Sequence, residues 1–259
     1  MRARASLAVE LRDGRTVVTV LRAQAPLALV PRRGAAAAAS PDAVVHLVGS
    51  ASTPLAGDDV RLDVTVGPGA QLVLTGVAAA VALPGAGRPS RTVLSCTIGD
   101  GGALTYLPEP TVVTGRADHE TVLDADLAPT ASLRARDLLV GGRTGERPGR
   151  YRGTVRITER GLPLLVQTQE IGDPDLDDSP AHLAGHRVLG TEVLIGDDGG
   201  TRPAAGEGWS LSPLAVRGVL ATAVAHDAVT ADRRLTEALS CVEGVEGAEG
   251  AVAATGTGR

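Results

Sequence analysis

The sequence contains no lysine and no phenylalanine, and only one tryptophan, two tyrosines, two cysteines and one methionine in 259 residues. Each shortage excludes something. With Trp209, Tyr106 and Tyr151 as the whole aromatic set, the core must be assembled from Val, Leu and Ala. Such a core buries less apolar area per residue than an aromatic one, so the chain is expected to lean on a partner for part of its stability. Carboxylates are numerous enough for hydrolase chemistry, but the aromatic platforms that hold sugars are nearly missing. Cys96 and Cys241 lie 145 residues apart in segments of different kinds, which gives neither a disulfide framework nor a zinc cluster. Cys96 alternates with Leu94 and Ile98 and reads as an inert core thiol.

Long apolar runs are also absent. No stretch of 18 apolar residues occurs, and Glu10, Arg12 and Asp13 interrupt the N-terminal segment too early for a secretion signal. The expected location is therefore cytoplasmic, with no membrane. There is no GxxxxGK[ST] phosphate loop and no GxSxG elbow. The net charge of −5 weighs against nucleic-acid binding. Arginines do gather near the start, at Arg2, Arg4, Arg12, Arg15, Arg22, Arg32 and Arg33. They form either a solvated face or a partner contact.

What is present is strand pattern. Residues 6–11 and 16–21 read as two strands joined at Asp13-Gly14, a pair that tolerates positive φ. Val60 to Val66 alternates without a break, placing Val60, Leu62, Val64 and Val66 on one face. A Gly67-Pro68-Gly69 turn follows, and a new strand begins at Ala70. The same phrase recurs at residues 92–106 and more weakly at 121–134. The turn-closing alanines are 70, 103 and 131, spaced by 33 and 28 residues. Repetition at this period predicts a mainly β, layered or solenoid-like scaffold of stacked hairpins. Residues 76–90, between the first two copies, read as a flexible turn, and 31–42 as a surface loop.

Ser212-Pro213 carries a helix-start signal, which predicts two short helices within about 213–242. The expected organisation is one β-rich domain over residues 1–243, followed by a disordered Gly/Ala tail over 244–259.

Several polar segments invite a functional reading beside a plain one. Pro108 and Pro110 hold Glu109 on a stiff extended link, either as an ordinary solvent-facing residue or as a partner or metal contact. The loop GGRTGERPGR at 141–150 is expected to be an exposed turn that orders against a partner. EIGDPDLDD at 170–178 packs five acids into nine positions, either as a solvated turn or as a weak cation or arginine contact. His182 and His186 are four apart but separated by Gly185, so ordinary structural histidines are expected rather than a metal pair.

The order of these pieces resembles one family. VRLDVTVGPGAQLVLTG, ALTYLPEPTVVTGRADHE, LRARDLLVGGRTGE, RYRG, GLPLLVQ and GHRVLGTEV are similar to the urease accessory protein UreD (UreH), over about residues 44–195. Ala56-Gly57-Asp58 stands where that family has a GGD-like turn, and Leu107-Pro108-Glu109-Pro110 stands at its LPxP segment. The resemblance implies a non-enzymatic scaffold that binds apo-urease and the accessory protein UreF, and through UreF the GTPase UreG. It also implies transient passage of Ni2+ through an internal water-filled route, with no permanently bound cofactor. Carboxylates and water suit a hydrated divalent cation that must leave again. The candidates for that route or its mouths are Asp58 and Glu109, on motif matches, and Asp59, Asp118 and Asp137, on charge and position. The alternative is an adaptor β-protein with no metal role, and a carboxylate hydrolase is a third, lesser reading.

Overall fold

The computed structural model describes residues 1–85, 87–196 and 200–242, so the tail expected at 244–259 lies outside the described residues. The chain opens with β1 (Arg2–Arg12), β2 (Arg15–Arg22), β3 (Leu27–Pro31), the one-turn helix α1 (Ala35–Ala38) and β4 (Ala43–Gly49). Three strand–turn–strand copies follow. These are β5 (Asp59–Val66) with β6 (Gln71–Gly76), β8 (Ser90–Ile98) with β9 (Ala103–Leu107), and β11 (Asp118–Leu127) with β12 (Ser132–Gly141). Short β7 (Ala80–Ala82) and β10 (Thr111–Val113) sit between the copies. The remainder is β13 (Arg150–Glu159), β14 (Leu162–Ile171), the one-turn helix α2 (Pro174–Asp177), β15 (Val188–Ile195), β16 (Ala204–Gly206), β17 (Trp209–Pro213), β18 (Val219–Ala225) and α3 (Ala228–Leu239).

The architecture is mainly β and solenoid-like, with a small C-terminal helix, as the repeat predicted. The unit that stacks is an arch. The first strand of each copy joins a seven-stranded sheet ordered β14-β13-β11-β8-β5-β1-β2. The second joins a larger sheet ordered β16-β17-β18-β15-β12-β9-β6-β4-β3, with β10 and β7 alongside β12. Copies therefore pair in parallel with one another, β5 with β8 and β8 with β11 in one sheet, β6 with β9 and β9 with β12 in the other.

The turns explain why each copy crosses between sheets. Each is closed internally: Ala70 N–H donates to the Gly67 carbonyl, Gly102 to Gly99, and Ala131 to Ala128. Each is also bonded to its neighbour, since Gly69 N–H donates to the Asp100 carbonyl, Ala103 to Ala70 and Ser132 to Gly102. Gly69 adopts φ 68°, where a side chain would be strained. At Gly102 a Cβ would sit 2.8 Å from the Gly99 carbonyl oxygen. The repeated glycines thus serve close backbone stacking.

Behind the turns the inward residues of both sheets form one aliphatic core. Leu62, Val64 and Val66, Leu94, Cys96 and Ile98, and Ala125 and Leu127 face Leu72, Leu74, Leu104, Leu133 and Ile195. A second cluster seats α3 on the outer face of the larger sheet, with Leu235 and Ala238 against Leu138 and Val188. Gly190 makes room there, because a Cβ would come within 3.0 Å of Leu235.

Three local expectations are corrected. Of the two helices expected over 213–242, the first is β17 and β18, and only the second forms. Gly218 at φ 94° breaks the helical run, and Val219, Ala221, Ala223 and Ala225 bury alternate positions in the sheet. The helix starts at Ala228, where the Asp227 carboxylate caps it, accepting from Thr230 N–H at 2.8 Å. The segment 76–90 contains β7, which pairs with β10, and 31–42 contains α1. Among the described residues, no helix is long and apolar enough to cross a membrane.

Candidate functional site

The inward positions change character along each strand. Near the turns they are aliphatic; toward the opposite end they become polar. On the larger sheet, Leu133, Ala135 and Asp137 follow one another on the inner face of β12, beside Ile195, Val193 and Thr191 of β15. Tyr106 of β9 stands beside Ala135. On the seven-stranded sheet, Leu123, Thr121 and His119 make the same progression on β11, and Ile157, Val155, Gly153 and Tyr151 on β13. The sheets do not close on each other at this end. They enclose a cavity of about 400 Å3, lined by Tyr106, Asp137, Thr191, His119, Thr121 and Gln167 among others, with exposed Glu109 at its rim.

A hydrogen-bond bridge joins the two sheets beside this cavity. The Tyr151 hydroxyl donates to Asp137 Oδ2 at 2.6 Å, so the Thr121 hydroxyl, also 2.6 Å away, donates to the Tyr151 oxygen. Gly153 makes the reach possible, since a Cβ there would lie 2.7 Å from that hydroxyl. The His119 ring stands 6.2 Å from the Tyr151 ring, and its Nδ1 is 2.9 Å from the Ser90 hydroxyl.

Burial sets the electrostatics. It raises the Asp137 carboxyl above its usual value, and the Tyr151 hydrogen bond opposes that only in part. Burial and the Asp137 charge push the Tyr151 hydroxyl well up, so it stays a donor. Burial pulls His119 down to about 4 against a weaker opposing bond from Ser90, leaving a neutral imidazole near pH 7. The site thus presents Asp137, a carboxylate of raised proton affinity, beside neutral hydroxyl, imidazole and amide groups, with Arg136 also in the lining and Glu109 at the rim.

Of the five candidate carboxylates, Asp137 lies inside this cavity and Glu109 at its rim. Backbone packing fixes Glu109, because Gly76 leaves only enough room for its main chain: a Cβ would sit 2.6 Å from the Glu109 nitrogen. Asp58 is buried in a separate set of bonds, from the Met1 ammonium at 2.6 Å, Leu55 N–H at 3.0 Å and the Thr53 hydroxyl at 3.2 Å. Burial alone would raise its carboxyl; these bonds hold it below the usual range instead. Asp59 pairs with Arg61 at 3.3 Å. Asp118 stands opposite Arg150 on β13 and on the other face of β11 from His119. Asp58, Asp59 and Asp118 gather at the end of the seven-stranded sheet that borders the cavity without lining it.

Sequence reasoning missed Tyr151, His119 and Thr121. For His119 and Thr121 the signal was available, since both occupy inward places in the alternation that runs on to Leu123, Ala125 and Leu127, as Asp137 does in Leu-Arg-Ala-Arg-Asp; for Tyr151 it was not. It also missed Glu192, which is fully buried on the outer side of the larger sheet and bonded by Arg134 at 2.5 Å and Arg136 at 2.6 Å. Arg136 reaches on to Asp232 of α3 and ties the helix down. In the acidic segment, Asp173 caps α2 and buried Asp177 accepts from Gly172 N–H at 2.9 Å. His182 Nε2 bonds the Glu170 carbonyl, while His186 stacks on His226 at 4.6 Å, so the two histidines do not converge. Among the described residues, no three His, Cys, Asp or Glu side chains group as a metal site.

The profile of the UreD urease accessory protein family matches residues 1–253. Urease accessory protein UreD 1 of Saccharopolyspora erythraea is 52% identical over 241 residues, covering 92% of this chain and 94% of that protein. Urease accessory protein UreD of Frankia alni is 41% identical, covering 88% and 85%, and that of Streptomyces coelicolor 39% identical, covering 89% and 93%. With that match over nearly its whole length, the chain belongs to the UreD family of urease accessory proteins.

Proposed function

We propose that this protein acts in urease maturation, as a cytoplasmic scaffold that binds apo-urease and UreF, and through UreF the GTPase UreG. In this reading Ni2+ is cargo that passes through the inter-sheet cavity and is not retained. The observation that carries the reading is Asp137: a carboxylate on the wall of an internal cavity, in a member of the UreD family. Oxygen ligands and neutral hydroxyls hold a hydrated divalent cation weakly, which is what transit requires. In this reading Glu109, at the rim on its proline-stiffened link, receives or hands over the ion. Asp58, Asp59 and Asp118 border the same end and are proposed only for its approach.

The test is reconstitution with the urease structural subunits and the other accessory proteins, with and without this chain, followed by nickel content and urease activity. Asp137→Ala and Glu109→Ala are expected to co-purify with the partners yet load less nickel, with Asp58→Ala for comparison. Loading that proceeds equally without the chain would remove the proposal. Loading that needs the chain but tolerates both variants would leave a partner-binding adaptor and move the ion elsewhere.

A further inference from the structure

A second hollow lies away from the inter-sheet cavity, between the turn after β10 and the loop joining β12 to β13. It measures about 560 Å3 and is walled by Leu83, Pro84, Pro148, Arg116, Arg143 and Arg147, with Glu146 at its side. We propose that it is a docking site for an acidic protein segment, whose carboxylates the three arginines take.

The frame is built and rigid. Arg187 donates to the carbonyls of Gly141, Gly142 and Arg143 at 3.3, 3.0 and 2.6 Å. Gly142 N–H donates to the Val113 carbonyl at 2.8 Å, and Glu146 N–H to Arg143 at 2.9 Å. Gly149 packs so closely on the neighbouring turn that a Cβ would lie 2.3 Å from the Ala117 carbonyl oxygen. The loop is therefore set before any partner arrives, which lowers the ordering cost of binding.

Within this frame the charges are unequal. Among the described lining residues the single carboxylate, Glu146, accepts from Arg143 N–H at 3.0 Å, and with that bond the nearby charges of Arg143 and Arg116 hold it below the usual carboxylate range. The guanidinium groups of Arg116, Arg143 and Arg147 make no hydrogen bond or ion pair with the described residues, and all three are exposed. Three positive charges against one negative leave a local excess of two on a chain of net charge −5. Like charges held together repel unless an anion joins them. Arg116 also adopts φ 62°, a conformation that Gly or Asn takes more easily.

The walls decide the kind of anion. Leu83, Pro84 and Pro148 offer apolar contact that a free oxyanion does not use and a peptide does. A nucleic acid would need a continued basic belt, which the net charge of −5 does not supply. Arginine forks suit carboxylates in pairs. The inference does not depend on the nickel route, and its test uses neither urease nor metal.

The experiment is fluorescence anisotropy with the full chain and a fluorescein-labelled ten-residue peptide of alternating Glu and Ala. Saturable binding is expected. Arg143→Ala combined with Arg147→Ala should weaken it about tenfold or more, and raised salt should weaken it too. Arg12→Ala combined with Arg22→Ala, on the exposed β1–β2 pair, should leave it unchanged. Circular dichroism confirms that the variants fold, as truncation of exposed side chains permits. The proposal is overturned by a lack of saturable binding, by equal loss in the β1–β2 control, or by inorganic phosphate binding the hollow as tightly as the peptide does.

Discussion

The Tyr151 hydroxyl of one sheet donates to the Asp137 carboxylate of the other at 2.6 Å. This bond joins the two sheets beside the cavity, between the aliphatic core behind the turns and a further apolar cluster that holds Tyr151, Leu139 and Leu189, and it orients the interior carboxylate. Tyr151→Phe removes the donor and leaves Asp137 with its burial uncompensated. The expected cost is about 1–3 kcal/mol, the range for stranding a buried acceptor. The Asp137 carboxyl should also titrate higher, since the lost bond is what lowers it. Carbon-13 NMR of the Asp side chains across pH reads this directly. An Asp137 resonance that titrates as in the parent protein would show that the bond has no hold on it.

Gly153 controls the same contact from below. A methyl group placed there meets the Tyr151 hydroxyl at 2.7 Å, too close to be tolerated without displacement. Gly153→Ala is expected to keep the fold, cost about 1–3 kcal/mol as overpacking does, and shift the Asp137 titration in the same direction as Tyr151→Phe. Combining the two variants should still show an overpacking cost, because the ring atoms Cε1 and Cζ, which phenylalanine keeps, lie 2.9 and 3.0 Å from the added Cβ. A Gly153→Ala cost that is unchanged when Tyr151 is replaced by Ala would mean that Gly153 acts through something other than Tyr151.

His119 gives the protein an acid-sensitive element. Its value in the fold is about 4, below the ordinary 6.5. Between these limits the unfolded chain takes up a proton that the folded chain refuses. Stability from this group is therefore complete above pH 6.5 and is lost as pH falls toward 4, by about 3 kcal/mol in all. Asp137 works the other way: its raised carboxyl adds stability as pH falls through its folded value toward the ordinary carboxylate range. His119→Gln should flatten the decline between pH 6.5 and 4 measured by urea unfolding. Parallel curves for the parent and the variant would remove His119 from the account.

The two thiols should separate cleanly. Burial and the nearby Asp124 charge push Cys96 up to about 12, while Cys241 is exposed beyond α3. One thiol should react with a disulfide reagent within minutes at pH 8 in the native protein, and the second only after denaturation. Cys241→Ser should abolish the fast phase. A fast phase that survives would place Cys96 within reach of solvent.

The repeat, its solenoid character and the inward alternation were legible because strand period and glycine turns are local properties. The partners of each strand were not. Parallel pairing of β5 with β8, and of β8 with β11, joins residues about thirty apart, and alternation alone does not tell an arch from a hairpin. The segment at 213–225 misled because Ser212-Pro213 is a sound helix start taken by itself, and the alanines of β18 fit either period. Asp137 could be selected as a charge, but its importance lies in Tyr151, which reaches it from the other sheet. Nothing in the order Tyr-Arg-Gly-Thr-Val announces that the tyrosine faces inward until β13 is paired with β11.

Glu192 shows how that larger sheet keeps α3, and it carries the last expectation. Its carboxylate is fully buried and holds Arg134 and Arg136, both mostly buried. Removing one partner of such a cluster leaves the others as uncompensated charges, which costs about 3–5 kcal/mol. Glu192→Ala should therefore lower thermal stability far more than Asp232→Ala, whose carboxylate is half exposed and whose loss costs about 1 kcal/mol or less. Replacing the whole cluster with Met at Arg134 and Arg136 and Leu at Glu192 should recover much of the loss, because no charge is then stranded. Recovery of melting temperature in the triple variant, set against the single Glu192→Ala, separates a clip that stabilises from one that mainly fixes where the helix sits. If the triple variant melts as high as the parent but α3 loses protection in hydrogen exchange, the cluster's role is to position the helix on the sheet.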